Sequence, residues 1–383
     1  MFCIAAFIVL SILGIFSVRY RRLAASAWKC VARRVSFRKC DTNFKEDLKS
    51  RLLGKTAAKH PRRARFLEKW LDVLAFIFVI LMVWSLLVAV RSGLDLFVYG
   101  TCHPANSESC SLGAKACSIE SVEPQFWQSL KSGHILSWGH SQVNQFGQAV
   151  SRIPDRLKKW DPASYTTKTS SYYRPYDSTK PTALEVLDPS CEFCAKLFTN
   201  LQQAGVEDRY NLTYIAFPIP IPQQNNVYKF PHSYLEASYL EAMQRQPLKG
   251  APVPADWQLL AKLFTGKDPA TGIGYQAEIN LPGYGDNKVE GILKTLLAEI
   301  GYSPSQIQNL TKLSKSETVK TSIANHRSVV ENQIKTVKIP TLILGTRRFE
   351  GLVSVGDLSQ SKSSASVYQA PQQPIFPWTY TQY

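Results

Sequence analysis

Two thiols spaced three residues apart, in Cys191-Glu192-Phe193-Cys194, are the residues whose type and spacing best suit them to chemistry. Such a pair can close a disulfide on itself, and it reacts as a thiolate that attacks another disulfide. What decides the chemistry is where the pair sits. Asp188-Pro189-Ser190 reads as a turn with Ser190 as a helix N-cap, and Cys194, Leu197, Phe198 and Leu201 follow at the i, i+3, i+4, i+7 spacing of one buried helical face. This places Cys191 at the first turn, where unpaired amides and the helix dipole lower a thiol pKa, and puts Cys194 one turn deeper. Cys191 is then the attacking thiol and Cys194 the one that resolves the mixed disulfide.

Two other uses of the pair remain open at this stage. Half of a zinc site would need a second pair of ligands, and beyond residue 91 the chain has no second CxxC and no close histidine pair. A plain structural disulfide is strained at this spacing. The dipeptide between the thiols, Glu192-Phe193, tunes the site: a carboxylate roughly 7 Å from the thiolate, partly solvated, costs it about 0.6 to 1.2 kcal/mol at an effective dielectric of about 40 to 80.

The elements that must hold this pair alternate between strand and helix. Residues 183–187 form a short apolar strand before the turn, and 212–217 form a second strand closed by Pro218, Pro220 and Pro222. From 230 to 334 the pattern is almost wholly helical, with helices over 234–246, 257–265 and 289–300, and a capping box at Ser303-Pro304-Ser305-Gln306. A last strand, 337–344, contains Pro340, which is out of place in a central strand unless the backbone has a special geometry there.

Strand, CxxC at a helix start, second strand, helical insertion and then Ile339-Pro340-Thr341 together resemble the DsbA-like branch of the thioredoxin superfamily. The resemblance covers residues 181–356. It implies an α/β, thioredoxin-like fold with a helical insertion at about 230–334, and a thiol:disulfide oxidoreductase that needs no metal or organic cofactor. It further implies that Pro340 is cis and faces the active-site disulfide, that Ile339 pairs its backbone with a substrate peptide, and that a membrane redox partner resets the disulfide. The chain departs from the pattern after the hairpin. From Ser359 onward it is polar and proline-containing, so the closing helix is expected to be missing or replaced by another segment, such as 123–160.

The rest of the chain addresses the compartment. Of the formal net charge of +16, +13 lies in residues 19–69, which hold 17 Lys/Arg against four acids. This block is flanked by two uncharged runs, 2–18 and 73–90. A membrane helix needs roughly 17 to 25 apolar residues, so both read as transmembrane helices. Short basic loops stay in the cytoplasm, which puts 19–69 inside and everything after 91 outside. The charge is therefore a topology signal, with room for a second role against anionic lipid, and no recognition motif points to nucleic acid. The expected organisation is an anchor over 1–91, a cysteine-bearing arm and linker over 92–180, the thioredoxin-like domain over 181–356 and a polar tail over 357–383.

Cys102, Cys110 and Cys117 are an odd set in the arm. At most one pair forms among them; the plain reading is a structural disulfide closing a small loop, and the sharper one is an electron relay between the arm and Cys191. Cys3, Cys30 and Cys40 fall in or inside the membrane and stay reduced. Asn211-Leu212-Thr213 and Asn309-Leu310-Thr311 fit the N-glycosylation acceptor pattern. Function thus narrows to a membrane-anchored, extracytoplasmic enzyme that forms or exchanges disulfides in exported proteins. Its rivals are a disulfide reductase or isomerase, and a non-catalytic binding module of the cell envelope. Replacing Glu192 by His should raise the redox potential of the Cys191/Cys194 pair by up to about 30 mV, the equivalent of one pKa unit; an unchanged or lower potential would count against a role for the carboxylate.

Overall fold

In this computed structural model the described residues are 61–101, 115–119 and 126–360, without 222, 223, 225 and 249, together with isolated positions between 7 and 32. The first apolar run apart from Phe7, most of the basic block, Cys3, Cys30, Cys40, Cys102, Cys110 and the tail after 360 lie outside them. The chain divides into two units, Met1–Ser92 and Gly93–Tyr383. Helix α1 (Pro61–Tyr99) contains the second apolar run, and its stretch Phe76–Tyr99 is long and apolar enough to cross a membrane, with a mean hydropathy of 2.2. It is the one such helix among the described residues.

The second unit takes in the end of α1 and goes on to a two-residue strand, β1 (Cys117–Ser118), and the helices α2 (Phe126–Lys131), α3 (Ile135–Ser151) and α4 (Ile153–Leu157). The expected linker over 161–180 is irregular but docked: Tyr173 N donates to Leu212 O at 2.9 Å, and Tyr172 bridges to Thr213. Its end is held by Asn211, whose Nδ2 donates to the carbonyls of Asp177 and Lys180 at 2.7 and 2.8 Å while its Oδ1 accepts from Asp177 N. Asn211 is buried with its amide fully used, so this acceptor pattern serves packing; Asn309 is exposed.

Strand β2 (Thr182–Leu187) leads into α5 (Glu192–Gln203), a short α6 (Val206–Arg209) and β3 (Asn211–Ala216). All six positions of β2 and of β3 are buried, as expected of strands covered on both faces. Helix α5 buries Cys194, Leu197, Phe198 and Leu201, the face read from the spacing, and gives way at Gly205 in the left-handed region, φ 60°. The insertion comprises α7 (Ser233–Arg245), α8 (Ala255–Thr265), α9 (Tyr275–Ile279), α10 (Asp286–Ile300), α11 (Pro304–Ser314) and α12 (Glu317–Ser328), the last continuing into a π turn over Val329–Ile334. The Ser303/Gln306 capping box forms as expected.

The chain then returns to the sheet as β4 (Lys338–Ile339), β5 (Thr341–Leu344) and β6 (Arg347–Glu350). Pro340 cannot donate to a ladder, and it divides the single expected strand into two pieces that pair with different partners. The main sheet runs β3-β2-β5-β6, with β2 and β3 parallel and the rest antiparallel; β4 pairs with β1 in a separate ladder. These elements come in the order that the resemblance implies, with the sheet formed around β2. The closing helix is present, contrary to expectation, as the short α13 (Val355–Gln360). It is tied back by Arg209, which donates to Leu358 O at 3.0 Å, while Asn200 holds the approach through Val353 O at 2.7 Å. Its two turns are mostly polar by sequence, with Leu358 as the residue buried, which is why no apolar periodicity announced it.

The joint between insertion and sheet is aromatic. Trp257 of α8 is fully buried, its ring centroid 4.8 Å from Tyr214 on β3 and 5.3 Å from Tyr173, and it stacks on Phe198 of α5. Its indole N–H donates to Ser171 O at 3.3 Å. Truncating it to Ala should cost about 3 to 5 kcal/mol in a urea unfolding measurement; a loss below about 1 kcal/mol would mean that the insertion is held elsewhere.

Candidate active site

The CxxC turn is built on one buried carboxylate. Asp188, at the end of β2, accepts from Ser190 N at 2.9 Å through Oδ1 and from Ile219 N, just past β3, at 2.8 Å through Oδ2. Its own backbone N–H points at Cys194 Sγ, 3.4 Å away. The turn closes with Cys191 N donating to Asp188 O, which makes Cys191 itself the N-cap of α5. Ser190, the expected cap, donates its hydroxyl to Glu236 of α7 instead. The insertion grips the turn from the same side: Gln276 Nε2 donates to Pro189 O and Cys191 O at 2.8 and 3.1 Å. Cys194 N donates to Cys191 O at 3.0 Å, and Cys194 is a buried free thiol.

Of the dipeptide, Phe193 is buried, with Lys196 Nζ 4.9 Å from its ring centroid, and Glu192 is exposed. Glu192 is not a lone carboxylate: Lys196 pairs with it at 2.7 Å across one turn. The pair is solvent-exposed and weak, but it offsets part of the field at Cys191, which puts the effect of Glu192 at the small end of the expected range.

Cys191 is fully buried and disulfide-bonded, and its partner is Cys117 of the arm. This takes Cys117 out of the expected loop disulfide; Cys102 and Cys110, the other two of that set, lie outside the described residues. The reason lies in the backbone. Strand β1 runs antiparallel to β4 with Cys117 opposite Ile339 and Ser118 opposite Lys338, extended by Ile119 N to Val337 O at 2.9 Å. On the other side Leu352 N donates to Lys115 O at 2.8 Å. Held this way, the Cys117 and Cys191 Cα atoms are 6.7 Å apart, within the range a disulfide spans. The Ile339–Pro340 peptide is cis, and Ile339 O lies 3.9 Å from Cys191 Sγ. The structure therefore brings Cys191, Cys194, Ile339, Pro340 and Cys117 together. With Cys191 in a disulfide, the zinc reading loses one of its two thiolates.

Sequence reasoning missed the buried ionisable groups behind the pair. Glu185, in the middle of β2, is fully buried, and both its carboxyl oxygens lack a hydrogen-bond partner among the described residues. Burial raises it to about 8. Burial also raises Asp188 to about 7 against the hydrogen bonds from Ile219 and Ser190, and Glu236 to about 8 against the Ser190 hydroxyl. Cys194 is pushed well up, first by burial and then by the negative fields of Glu185 and Asp188. Lys338, beside Ile339, is buried with no partner for its Nζ among the described residues, and burial lowers it to about 8 against the pull of Glu350. The legible signal was a Glu among the apolar residues of a six-residue strand, TALEVL.

No protein-family model matches the chain, and no curated protein is similar to it in sequence. Similar solved structures include the thiol-disulfide exchange protein alpha-DsbA2 from Wolbachia pipientis, 17% identical, TM-score 0.34, covering 50% of this chain and 84% of that one. They also include Proteus mirabilis ScsC in a compact conformation, 13% identical, TM-score 0.35, covering 60% and 92%, and reduced DsbG from Mycobacterium tuberculosis, 10% identical, TM-score 0.34, covering 54% and 99%. At these values the functional reading rests on the site's own geometry.

The three raised carboxyls give a pH signature. Between roughly pH 4.5, where such groups ionise in the unfolded chain, and their folded values of about 7 to 8, the folded state holds the extra protons, so stability falls as pH rises. Each group contributes a slope of up to about 1.4 kcal/mol per pH unit, and Lys338 works in the opposite sense above about pH 8. The chain should unfold at lower denaturant at pH 7.5 than at pH 5, and Glu185→Gln should shrink that difference. A stability that rises over this range would contradict the burial of these groups as acids.

Proposed function

We propose that this chain is a membrane-anchored thiol–disulfide oxidoreductase that works outside the cytoplasm on cysteines of exported proteins. The observation that carries the reading is the bond at Cys191: an N-cap cysteine joined to a cysteine in an extended segment that pairs with the residue before a cis-proline, with a second thiol one helical turn beneath. That is the arrangement of a mixed disulfide with a peptide. In the forward reaction a substrate thiolate attacks Cys191 Sγ of a Cys191–Cys194 disulfide, releasing Cys194 as a thiolate. A second substrate thiolate then attacks the sulfur of the mixed disulfide on the substrate side. The substrate leaves oxidised, and Cys191 and Cys194 are left reduced.

The chain's own residues divide the work. The amide end of α5 favours the Cys191 thiolate as leaving group. Pro340 and Ile339 hold the peptide strand. Cys194 resolves, and burial together with the negative fields of Glu185 and Asp188 holds it as a thiol until it does. A membrane redox partner re-oxidises or re-reduces the pair, and the choice between them sets whether the net activity is formation, reduction or isomerisation of disulfides. Support for the compartment comes from the apolar stretch Phe76–Tyr99 following a strongly basic block. That block sits against the inner leaflet of the bilayer in this reading, with the catalytic domain on the far side.

Trapping tests the reading, and Cys117 dictates how. In a Cys194→Ala chain, Cys117 is placed to occupy Cys191, so the trap is the double variant Cys117→Ser, Cys194→Ala. It should accumulate mixed disulfides with exported proteins, released by dithiothreitol and absent when Cys191 is also replaced by Ser. No adducts through Cys191 would favour the non-catalytic binding module.

A further inference from the structure

The bond between Cys117 and Cys191 joins the arm to the very sulfur that the proposed reaction uses, and the inference drawn from it rests on that reading. A staple that only tied the arm down would work at any pair of surface cysteines; this one consumes the reactive thiol and leaves Cys194 free and buried below it. The segment around Cys117 is also held as a peptide would be, by backbone pairing to Val337 and Ile339 on one side and to Leu352 on the other. The flanking residues, Ala116 and Ser118, are small, and Ala116 and Cys117 are both buried.

We infer that Cys117 is a third redox-active cysteine of this site, and that residues 115–119 are a built-in peptide substrate that trades places with external ones. The exchange is internal and balanced. Cys194 attacks Cys191 Sγ; the Cys191–Cys194 bond forms, the Cys117–Cys191 bond breaks, and Cys117 leaves as a thiolate that takes up, by way of solvent, the proton Cys194 gave up. One disulfide is lost and one gained, so no oxidant or reductant is required. The freed strand then vacates Ile339, and an extended peptide enters with its cysteine opposite that residue. Ala116, the residue before the cysteine, is buried, so the site selects peptides with a small residue at that position. A tethered thiol has an effective concentration in about the millimolar range, so the arm holds the site against micromolar peptide and yields to higher concentrations or tighter substrates.

The test uses the full-length chain in detergent, oxidised, with thiols blocked in acid and disulfides mapped by mass spectrometry. Cys194→Ala should show Cys117–Cys191, Cys117→Ser should show Cys191–Cys194, and the parent should show both. In single-turnover reaction with a micromolar peptide carrying Ala-Cys and a second cysteine, Cys117→Ser should react about tenfold or more faster than the parent, and a peptide with Trp before the cysteine should react more slowly than the Ala peptide. A free Cys117 in the Cys194→Ala chain, or Cys117 bonded elsewhere, overturns the inference, and the parent and Cys194→Ala maps decide this even if Cys117→Ser fails to fold. So does an equal peptide rate in the parent and Cys117→Ser, with the oxidoreductase reading intact. If neither chain exchanges with glutathione, that reading fails, and the bond is only a staple.

Discussion

The site depends on the Asp188 carboxylate. One side chain fastens three stretches of backbone that the chain must bring together: the end of β2, the turn into α5 and the exit from β3. Because its two oxygens are committed to Ser190 N and Ile219 N, the turn has one conformation, and Cys191 becomes the N-cap while the amide of residue 188 faces Cys194. A carboxylate in this position is costly to bury, and the two amides it accepts from offset part of that cost, burial still raising it to about 7. Without it the two sulfurs would sit on a loop, where neither the helix dipole nor the depth difference between them would be defined.

Around this knot the insertion acts as a clamp more than as a separate layer. Glu236 of α7 receives the Ser190 hydroxyl, and Gln276 of α9 holds the carbonyls of Pro189 and Cys191, so helices far along the chain fix the turn from outside the sheet. On the opposite side Pro340, with no amide to give to a ladder, separates β4 from β5 and leaves the β4 edge to pair with an extended segment instead of the main sheet. The arm takes that edge. The same backbone break that ends one strand therefore creates the place where a peptide lies against Cys191.

Much of this was legible in the residues. The helical face of Cys194, Leu197, Phe198 and Leu201, the two strands flanking it and the Ser303 capping box follow from periodicity and local chemistry, which are properties of short segments. The misplaced Pro340 was legible as an anomaly. What was not legible involves long range. Nothing in the composition of residues 101–117 shows that Cys117 reaches a cysteine 74 residues away in sequence, because the ladder that carries it there is only two residues long. Helix α13 is too short for a period to show, and Ser190 lost its capping role to a carboxylate of the insertion that no local pattern could place. Glu185 was visible as a charge in an apolar strand, but its meaning depends on which sulfur lies near it.

Everything proposed for this chain requires that Cys191 and Cys194 form a working redox pair and not a fixed structural feature. The most direct measurement is their equilibrium against a graded series of reduced and oxidised glutathione, read by acid-quenched thiol labelling of the two residues. In a Cys117→Ser chain, where no third cysteine competes for Cys191, both should titrate together, reversibly, with a definite midpoint in the range the glutathione couple can reach. Labels that stay constant across the whole series, with Cys191 locked in a disulfide at every ratio, would contradict that requirement.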